Sequence, residues 1–190
     1  MGFHPAAGNA GGDPGVKAEA FAALYDAQYP RVFRYLLGRL RNEHTAEELA
    51  AEVFAIALAS LQKGTQPRQV ASWLVGIADH LASRYWRQKK AQEPAVAAPE
   101  RQAEETDPEE LAIGRLESGR LWACVDALSP EHRQVLLLRI VAGLSARDVG
   151  EIMNRTEEAV RSMQLRALAA LRRVWKEADV HDGLPETPDQ

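Results

Sequence analysis

A group of four side chains near the end of the chain has the chemistry needed to contact base edges in a DNA groove. The four are Arg161, Ser162, Leu165 and Arg166, which fall largely on one face of a predicted helix. Arginine can pair with guanine edges, whereas leucine contributes only shape or a methyl contact. The inward stripe of the same helix is apolar at helical spacing and consists of Val160, Met163, Ala167 and Leu171. The plainer alternative is an ordinary helical hairpin whose arginine face is solvated.

The elements that must position these side chains form a predicted helix-turn-helix over residues 144–171. Ser145 can cap the first helix, with Asp148 completing an acidic capping box. Gly150 is small where two helices must cross closely, and Asn154 tolerates the left-handed conformation of a sharp turn. Thr156 can cap the second helix, whose first turn carries two glutamates suited to its positive end.

A second cluster mixes aromatic and basic side chains at the end of an earlier helix. It consists of Arg84, Tyr85, Trp86, Arg87, Lys89 and Lys90. Cations can track phosphates while aromatic rings stack on unpaired bases, a combination that suits opened nucleic acid. Trp73 lies about three helical turns earlier and is predicted to share a face with Arg84. In the alternative interpretation, Trp73 and Tyr85 belong to the core and the cations complement the helix dipole.

An acidic helix is predicted earlier in the chain than either cluster. Glu48 and Glu52 are spaced four residues apart beside Leu49 and Val53. Carboxylates that flank apolar residues can meet a basic protein surface, so this is a candidate docking face. A solvated helix face is the default alternative.

The sequence contains no pattern of residues typical of an enzyme active site. The five histidines are scattered, and no zinc-protease, nucleophile-elbow, phosphate-loop or dinucleotide motif is present. The single Cys124 excludes an internal disulfide and a cysteine-rich zinc site. The sequence therefore predicts no catalytic residue, no cofactor and no metal. No signal peptide and no apolar run of membrane-spanning length is visible, so a cytoplasmic protein without membrane insertion is expected.

The net charge of −4 divides unevenly along the 190 residues. Residues 17–90 hold 11 basic and 7 acidic side chains, and residues 120–176 hold 10 basic and 6 acidic. Residues 91–119 hold 2 basic and 8 acidic side chains, and residues 177–190 hold 5 acidic and no basic ones. Two mildly basic modules, each followed by an acidic segment, are the candidates for phosphate contact.

The predicted fold class is all-α, with two small helical domains joined by a flexible acidic linker. The predicted segments are a disordered tail at 1–16, a first domain at 17–90, the linker at 91–117, a helix-turn-helix domain at 118–176 and an acidic tail at 177–190. Four helices are expected in the first domain: Val16–Gln28, a second from Pro30 to Arg41, a third capped by Thr45 with Glu48, and a fourth over Val70–Lys90. The Lys63–Pro67 segment is a clear break.

Three segments together resemble the extracytoplasmic-function (group four) sigma factors of the sigma-70 family. Residues 44–57 are similar to the core-binding motif of that family, residues 71–90 to the segment that recognises and melts the −10 promoter element, and residues 128–173 to the segment that binds the −35 element. The resemblance covers about residues 20–90 and 118–176, in the order found in the family. It implies a region-two bundle followed by a region-four helix-turn-helix.

The resemblance also implies partners and site residues. The partners are core RNA polymerase, through its β′ coiled coil and β flap, promoter DNA and an anti-sigma factor. Core-binding residues would be Glu48, Leu49, Glu52 and Val53. The −10 residues would be Lys63, Trp73, His80, Arg84, Tyr85, Trp86 and Arg87. The −35 residues would be Thr156, Arg161, Ser162, Leu165 and Arg166.

The chain departs from the family pattern at several positions. Ala51 stands where glutamine is frequent, His80 where asparagine is frequent, and Met163 where arginine is frequent. These departures bear on promoter preference more than on function. From the residues alone, two other functions stay open: a stand-alone repressor or activator that binds a duplex operator, and an adaptor that binds only protein.

Overall fold

The computed structural model describes residues 14–92 and 119–182. These residues form helices joined by short turns, with no strand among them. The helices are α1 (Pro14–Leu40), α2 (Glu43–Gln62), α3 (Val70–Gln92), α4 (119–126), α5 (Pro130–Leu136, continued by a π-helical segment, Leu137–Val141), α6 (Ala146–Met153) and α7 (Glu157–Asp182). The all-α prediction is confirmed. Residues 93–117 of the predicted acidic linker lie outside the described residues, as do residues 1–13 and 183–190 of the two predicted tails.

Helix α1 is continuous, so the prediction of two helices separated at Pro30 is wrong. Proline removes one backbone hydrogen bond, from its own position to the carbonyl of Asp26. Pro30 and Asp26 are both exposed, and water can therefore hydrate the freed carbonyl. Tyr29 and Phe33 stack on each other across this turn at 5.8 Å between ring centroids, which supports the helix on both sides of the proline.

The cap of α2 also differs from the prediction. Asn42, and not Thr45, is the N-cap: its side chain accepts a hydrogen bond from the Thr45 backbone N–H at 2.8 Å. An asparagine placed three residues before Thr45 satisfies an N–H group that would otherwise be unpaired, so the helix begins earlier. The break after α2 is present as predicted, and α3 begins at the predicted Val70.

The first domain is a three-helix bundle of α1, α2 and α3. Its core is formed by fully buried side chains from all three helices, including Leu36, Val53 and Leu74. Full burial of each such side chain contributes about 1.5–3 kcal/mol. The bundle therefore fixes the outward residues of α2 and α3 on a rigid base.

The second domain packs α5 and its π-helical segment against α6 and α7. Ser129 caps α5, accepting from the His132 backbone N–H at 3.4 Å, and Pro130 stands in the first turn. Val135, Leu138, Val149 and Val160 are completely buried between these helices. This small core holds the helix-turn-helix rigid. The α5 segment also meets α1, so one hydrophobic cluster extends through both domains.

Candidate nucleic-acid interface

The helix-turn-helix has the local chemistry predicted for it. Ser145 caps α6, accepting from the Asp148 backbone N–H at 3.1 Å, while the Ser145 backbone N–H donates to Asp148 at 3.3 Å. Asn154 ends α6 with φ 53° and ψ 53°, in the left-handed region. Thr156 Oγ1 then accepts from the Ala159 backbone N–H at 3.2 Å. Both helices of the motif are therefore capped, and the turn between them is fixed.

Gly150 is required by the turn and not by a crossing helix. A Cβ atom at this position would lie 2.6 Å from the carbonyl oxygen of Arg155, and the Arg155 backbone N–H donates to the Gly150 carbonyl at 2.9 Å. Backbone atoms cannot move aside as a side-chain end can. The prediction that a small residue is needed here is confirmed, and its cause is the return of the chain onto α6.

The outward face of α7 presents the four predicted side chains to solvent. Arg161, Ser162 and Arg166 are exposed, and Leu165 is 70% exposed. Arg161 forms an ion pair with Glu157 one turn earlier, and Arg166 Nε donates to the Ser162 carbonyl at 3.4 Å. The two arginines are held along the helix and not within the core.

The inward stripe of α7 is confirmed as core. Val160, Met163 and Ala167 are buried, and Leu171 is half-buried. Met163 stands where arginine is frequent in the family pattern. Because it packs in the core, this departure leaves the fold intact. Helix α7 therefore has one face that packs in the core and an opposite face that is open to solvent.

The left-handed backbone conformation of Asn154 leads to a testable prediction. Asn154→Ala is expected to lower the free energy of unfolding by about 1 kcal/mol or more, because a left-handed conformation costs an ordinary side chain about that much. Asn154→Gly should leave the free energy of unfolding within a few tenths of a kcal/mol of that of the parent protein. Chemical denaturation measures both, and equal effects of the two substitutions would contradict the role assigned to the backbone angle.

A cleft of about 1080 Å³ lies between the first domain, at α3 and the turn before it, and α6 of the second domain. Its walls include Trp73, His80, Arg68 and Gln69 from the first domain. His80 is exposed and Trp73 half-buried, so an aromatic face, an imidazole and a cation meet in one depression. Lys63 is exposed where the preceding turn begins. The structure thus brings two predicted −10 residues, Trp73 and His80, to one surface.

The later aromatic residues do not join that surface. Tyr85 and Trp86 are half-buried, pack against the core and meet edge to face at 5.5 Å between ring centroids. Trp86 Nε1 donates to the Arg39 carbonyl of α1 at 3.2 Å. The alternative interpretation assigned Trp73 and Tyr85 to the core; both are half-buried and pack against it, as Trp86 does. Arg87 is exposed, with its Nε donating to the Ser83 carbonyl at 3.3 Å.

Three of the four residues predicted for the docking face of α2 are accessible from outside: Glu48, Leu49 and Glu52. Val53 is completely buried, so its prediction as a surface contact is wrong: it packs into the bundle beneath the face. Leu49 is half-buried and Glu48 exposed. Glu52 forms an ion pair with Arg84 of α3 at 2.7 Å, which joins a predicted polymerase contact to a predicted DNA contact.

Sequence reasoning missed a buried polar cluster at the centre of the molecule. Asp79 is 8% exposed and accepts hydrogen bonds from Tyr35 Oη at 2.5 Å and from Gln134 Nε2 at 3.0 Å. Burial raises the pKa of the Tyr35 hydroxyl well above its usual 10.0, and the neighbouring Asp79 charge raises it further. The available signal was a single carboxylate inside the apolar stripe of α3, between Ala78 and Leu81.

Within residues 14–92 and 119–182, no group of three or more histidine, cysteine, aspartate or glutamate side chains is arranged to hold a metal ion. None of the helices described here is long and apolar enough to cross a bilayer.

Comparison with protein families assigns both domains. The family model described as Sigma-70 region 2 matches residues 24–92, and the one described as Sigma-70, region 4 matches residues 124–173.

Several curated proteins are similar over most of the chain. The ECF RNA polymerase sigma factor SigD of Mycobacterium tuberculosis is 31% identical over 150 residues, which cover 75% of this chain and 71% of that protein. ShbA of Streptomyces griseus, described in the same way, is 30% identical over 168 residues, or 82% and 87% of the two chains. BldN of Streptomyces coelicolor is 30% identical over 161 residues, and the chain spans only 61% of its length.

Solved structures share the fold at low sequence identity. CnrH, in complex with the cytosolic domain of CnrY, superposes with a TM-score of 0.65 at 18% identity, covering 84% of this chain and 90% of that one. The sigma factor RpoE of Bartonella quintana, in complex with the anti-sigma factor NepR, superposes with a TM-score of 0.64 at 17% identity, covering 83% and 98%. The arrangement of helices is therefore one that sigma factors adopt.

Proposed function

Because this chain belongs to the ECF sigma factors of RNA polymerase, we propose that it directs core polymerase to specific promoters in the cytoplasm. The first domain recognises and helps to open the −10 element, and the helix-turn-helix reads the −35 element. The protein contributes binding energy and positioning, and RNA synthesis belongs to the polymerase. It needs no cofactor of its own.

The exposed face of α7 is the single observation that carries this proposal. A capped, glycine-dependent turn holds a rigid helix whose outward residues are two arginines, a serine and a 70% exposed leucine. Such a helix fits a major groove, where arginine can bind O6 and N7 of guanine. Thr156 stands at the N-terminus of α7, where a phosphate is favoured by the helix dipole.

The −10 surface is proposed to be the cleft beside the turn after α2. Trp73 offers a ring for an unpaired base, and His80 and Arg68 offer donors to bases or phosphates. Lys63 and Arg87, both exposed, extend the positive surface on either side. Tyr85 and Trp86, which pack against the core of the first domain, are proposed to support α3.

Trp73 gives a test of this surface. Trp73→Ala is expected to lower transcription from a closed duplex promoter about tenfold, since stacking contributes about 1–3 kcal/mol per base. Trp73→Phe, which keeps an aromatic face, should retain most of the output. A template already unpaired at −10 should recover the output of Trp73→Ala, because the cost of melting no longer has to be met. Equal loss on both templates would contradict a role in opening.

Contacts with polymerase are proposed for the acidic face of α2, through Glu48, Leu49 and Glu52. This face would dock on the β′ coiled coil and the second domain on the β flap. The Glu52–Arg84 ion pair, 2.7 Å long, supports the proposal that a polymerase contact and a DNA contact lie side by side. A basic polymerase residue that captures Glu52 would release Arg84 toward DNA.

An anti-sigma factor is the third proposed partner. The solved structure of RpoE holds it in a complex with the anti-sigma factor NepR, and this chain superposes on RpoE over 83% of its length. A partner of that class would hold the two domains together and keep both DNA surfaces from the promoter.

Run-off transcription tests the proposal as a whole. Core polymerase supplied with this chain should start RNA synthesis at defined sites on a library of genomic fragments, and core polymerase alone should not. A stand-alone operator-binding protein would instead bind duplex DNA tightly and give no defined start sites. An adaptor that binds only protein would keep its activity after both outward arginines of α7 are removed.

A further inference from the structure

One arginine side chain connects the end of α5 both to α7 and to the turn before α6. Arg139 Nε donates to Gln164 Oε1 of α7 at 2.8 Å, and Arg139 Nη1 donates to the backbone carbonyl of Leu144. Arg139 is half-buried. A guanidinium group is planar and its donors point in fixed directions, so this one side chain holds α7 and the turn in a defined relation to each other.

The backbone around Arg139 brings the two acceptors within its reach. Arg139 belongs to the π-helical segment Leu137–Val141, and π-helical turns are rare and frequently occur at functional sites. Gly143 follows with a left-handed φ of 65°, and the Leu144 backbone N–H donates back to the Leu138 carbonyl at 3.1 Å. The chain therefore turns back onto the end of α5 before α6 begins.

Gln164 lies at the border between the two faces of α7. It is half-buried, follows the buried Met163 and precedes the 70% exposed Leu165. The exposed Arg161 lies one turn earlier. The buried stripe of α7 is apolar, and apolar contacts have no preferred direction, so they resist rotation of the helix only weakly. A hydrogen bond is directional, and the one from Arg139 therefore restricts this rotation.

A small rotation of α7 is enough to disturb the reading of bases. A guanidinium about 6 Å from the helix axis moves by about 1 Å when the helix turns by about 10°. Hydrogen bonds join heavy atoms at about 2.7–3.2 Å, so a shift of this size breaks at least one bond of a bidentate arginine–guanine pair. The rotation of α7 therefore affects base discrimination while the domain stays folded.

We propose that Arg139 is a positioning residue for recognition of the −35 element: through Gln164 it fixes the rotation of α7, and thereby how strictly the outward arginines discriminate between −35 sequences. This inference rests on the proposed function. Arg139 itself contacts no base. Because it acts through Gln164, loss of either partner should have the same consequence, and loss of both should add little more.

Discrimination between −35 sequences gives the first test. Run-off transcription by core polymerase with the parent chain should differ about tenfold between promoters with a preferred −35 element and with one mismatched base pair in it. Arg139→Met removes the guanidinium, and Gln164→Met removes the amide acceptor. Each should reduce the ratio to about threefold or less, mainly by lowering output on the preferred element. Thermal unfolding verifies that each variant is folded, and an unchanged ratio in folded Gln164→Met would overturn the proposal.

The double substitution and the salt dependence of binding separate positioning from direct contact with DNA. Arg139→Met combined with Gln164→Met should discriminate no worse than Arg139→Met alone, because both interrupt the same link. For promoter binding by the polymerase complex, the slope of log affinity against log salt should equal that of the parent protein. A phosphate contact by Arg139 would lower that slope by about 1, and this result would overturn the proposal.

Arg133→Met is the matched control. Arg133 is also a half-buried arginine of α5, but its Nε donates to the Val125 carbonyl of α4 at 3.3 Å. Its removal should lower the stability of the second domain and leave discrimination unchanged. Equal loss of discrimination in Arg133→Met and Arg139→Met would overturn the proposal, because general loosening of the domain would then explain both. Absence of −35-dependent transcription with the parent chain would count against the proposed function instead.

Discussion

Replacing Arg161 and Arg166 together with alanine is expected to reduce promoter-directed transcription by about thirty-fold or more. Each bidentate arginine–guanine contact contributes about 1–3 kcal/mol of discrimination, and each 1.4 kcal/mol is tenfold in binding. Both guanidinium groups lie on the exposed face of α7. Neither contributes to the core, so the free energy of unfolding should change by less than about 0.5 kcal/mol.

The control for the double substitution is Arg173→Ala on the same helix. Arg173 is exposed and lies 3.8 Å from Glu177, two turns beyond the proposed reading face. Its removal deletes a cation from α7 but no proposed base contact. Run-off assays on a promoter with an intact −35 element, and on one with that element scrambled, measure the effect. Loss that is equal on the two promoters would contradict base reading by Arg161 and Arg166.

Gly150→Ala is expected to have the largest effect on stability of any single-methyl change in the second domain. The added Cβ would lie 2.6 Å from the Arg155 carbonyl oxygen, so the turn must open or α6 must shift. Overpacking of this kind costs about 1–3 kcal/mol, and backbone has less freedom to relax than a side chain. The angle between α6 and α7 would then no longer be fixed. Binding to the −35 element should therefore weaken together with the stability of the second domain.

Gly76→Ala is the matched comparison, and its change in the free energy of unfolding should have the opposite sign to that of Gly150→Ala. The nearest atom to a Cβ at Gly76 is 3.8 Å away, which is ordinary contact, and the residue lies inside helix α3. Replacing a helical glycine with alanine stabilises by about 0.5–1 kcal/mol. Chemical denaturation of the two variants should therefore give changes of opposite sign. Destabilisation of similar size in both would contradict the distinction between a turn glycine and a helix glycine.

Features set by neighbouring residues could be predicted from the sequence. The Ser145–Asp148 capping box, the left-handed Asn154 and the cap at Thr156 each depend on atoms within a few residues of one another. The outward and inward stripes of α7 follow from helical spacing alone. The two-domain helical fold and the helix-turn-helix were predictable for this reason.

Features set by distant packing could not be predicted in the same way. Proline favours a helix start, but at Pro30 α1 is continuous, and Tyr29 beside it packs against Phe54 of α2 with 6.2 Å between ring centroids. Val53 has the spacing of an edge residue and yet is fully buried, because α1 and α3 close over it. Both errors arise from contacts between helices, which periodicity along one helix does not contain.

The polar cluster illustrates the same limit at longer range. Tyr35, Asp79 and Gln134 are separated by 44 and 55 residues, and only the packed bundle brings them together. Asp79 alone gave a signal, as a charge inside an apolar stripe. Its partners had no such signal, since a tyrosine and a glutamine are ordinary on helix surfaces.

Promoter recognition by this chain is tested most directly by a map of one promoter bound by polymerase and the chain. The −35 element should be protected, and this protection should disappear with Arg161→Ala and Arg166→Ala. Unpaired thymines at −10 should react with permanganate in the same complex. Protection of a duplex site by the chain alone, with no polymerase dependence and no unpaired bases at −10, would contradict it.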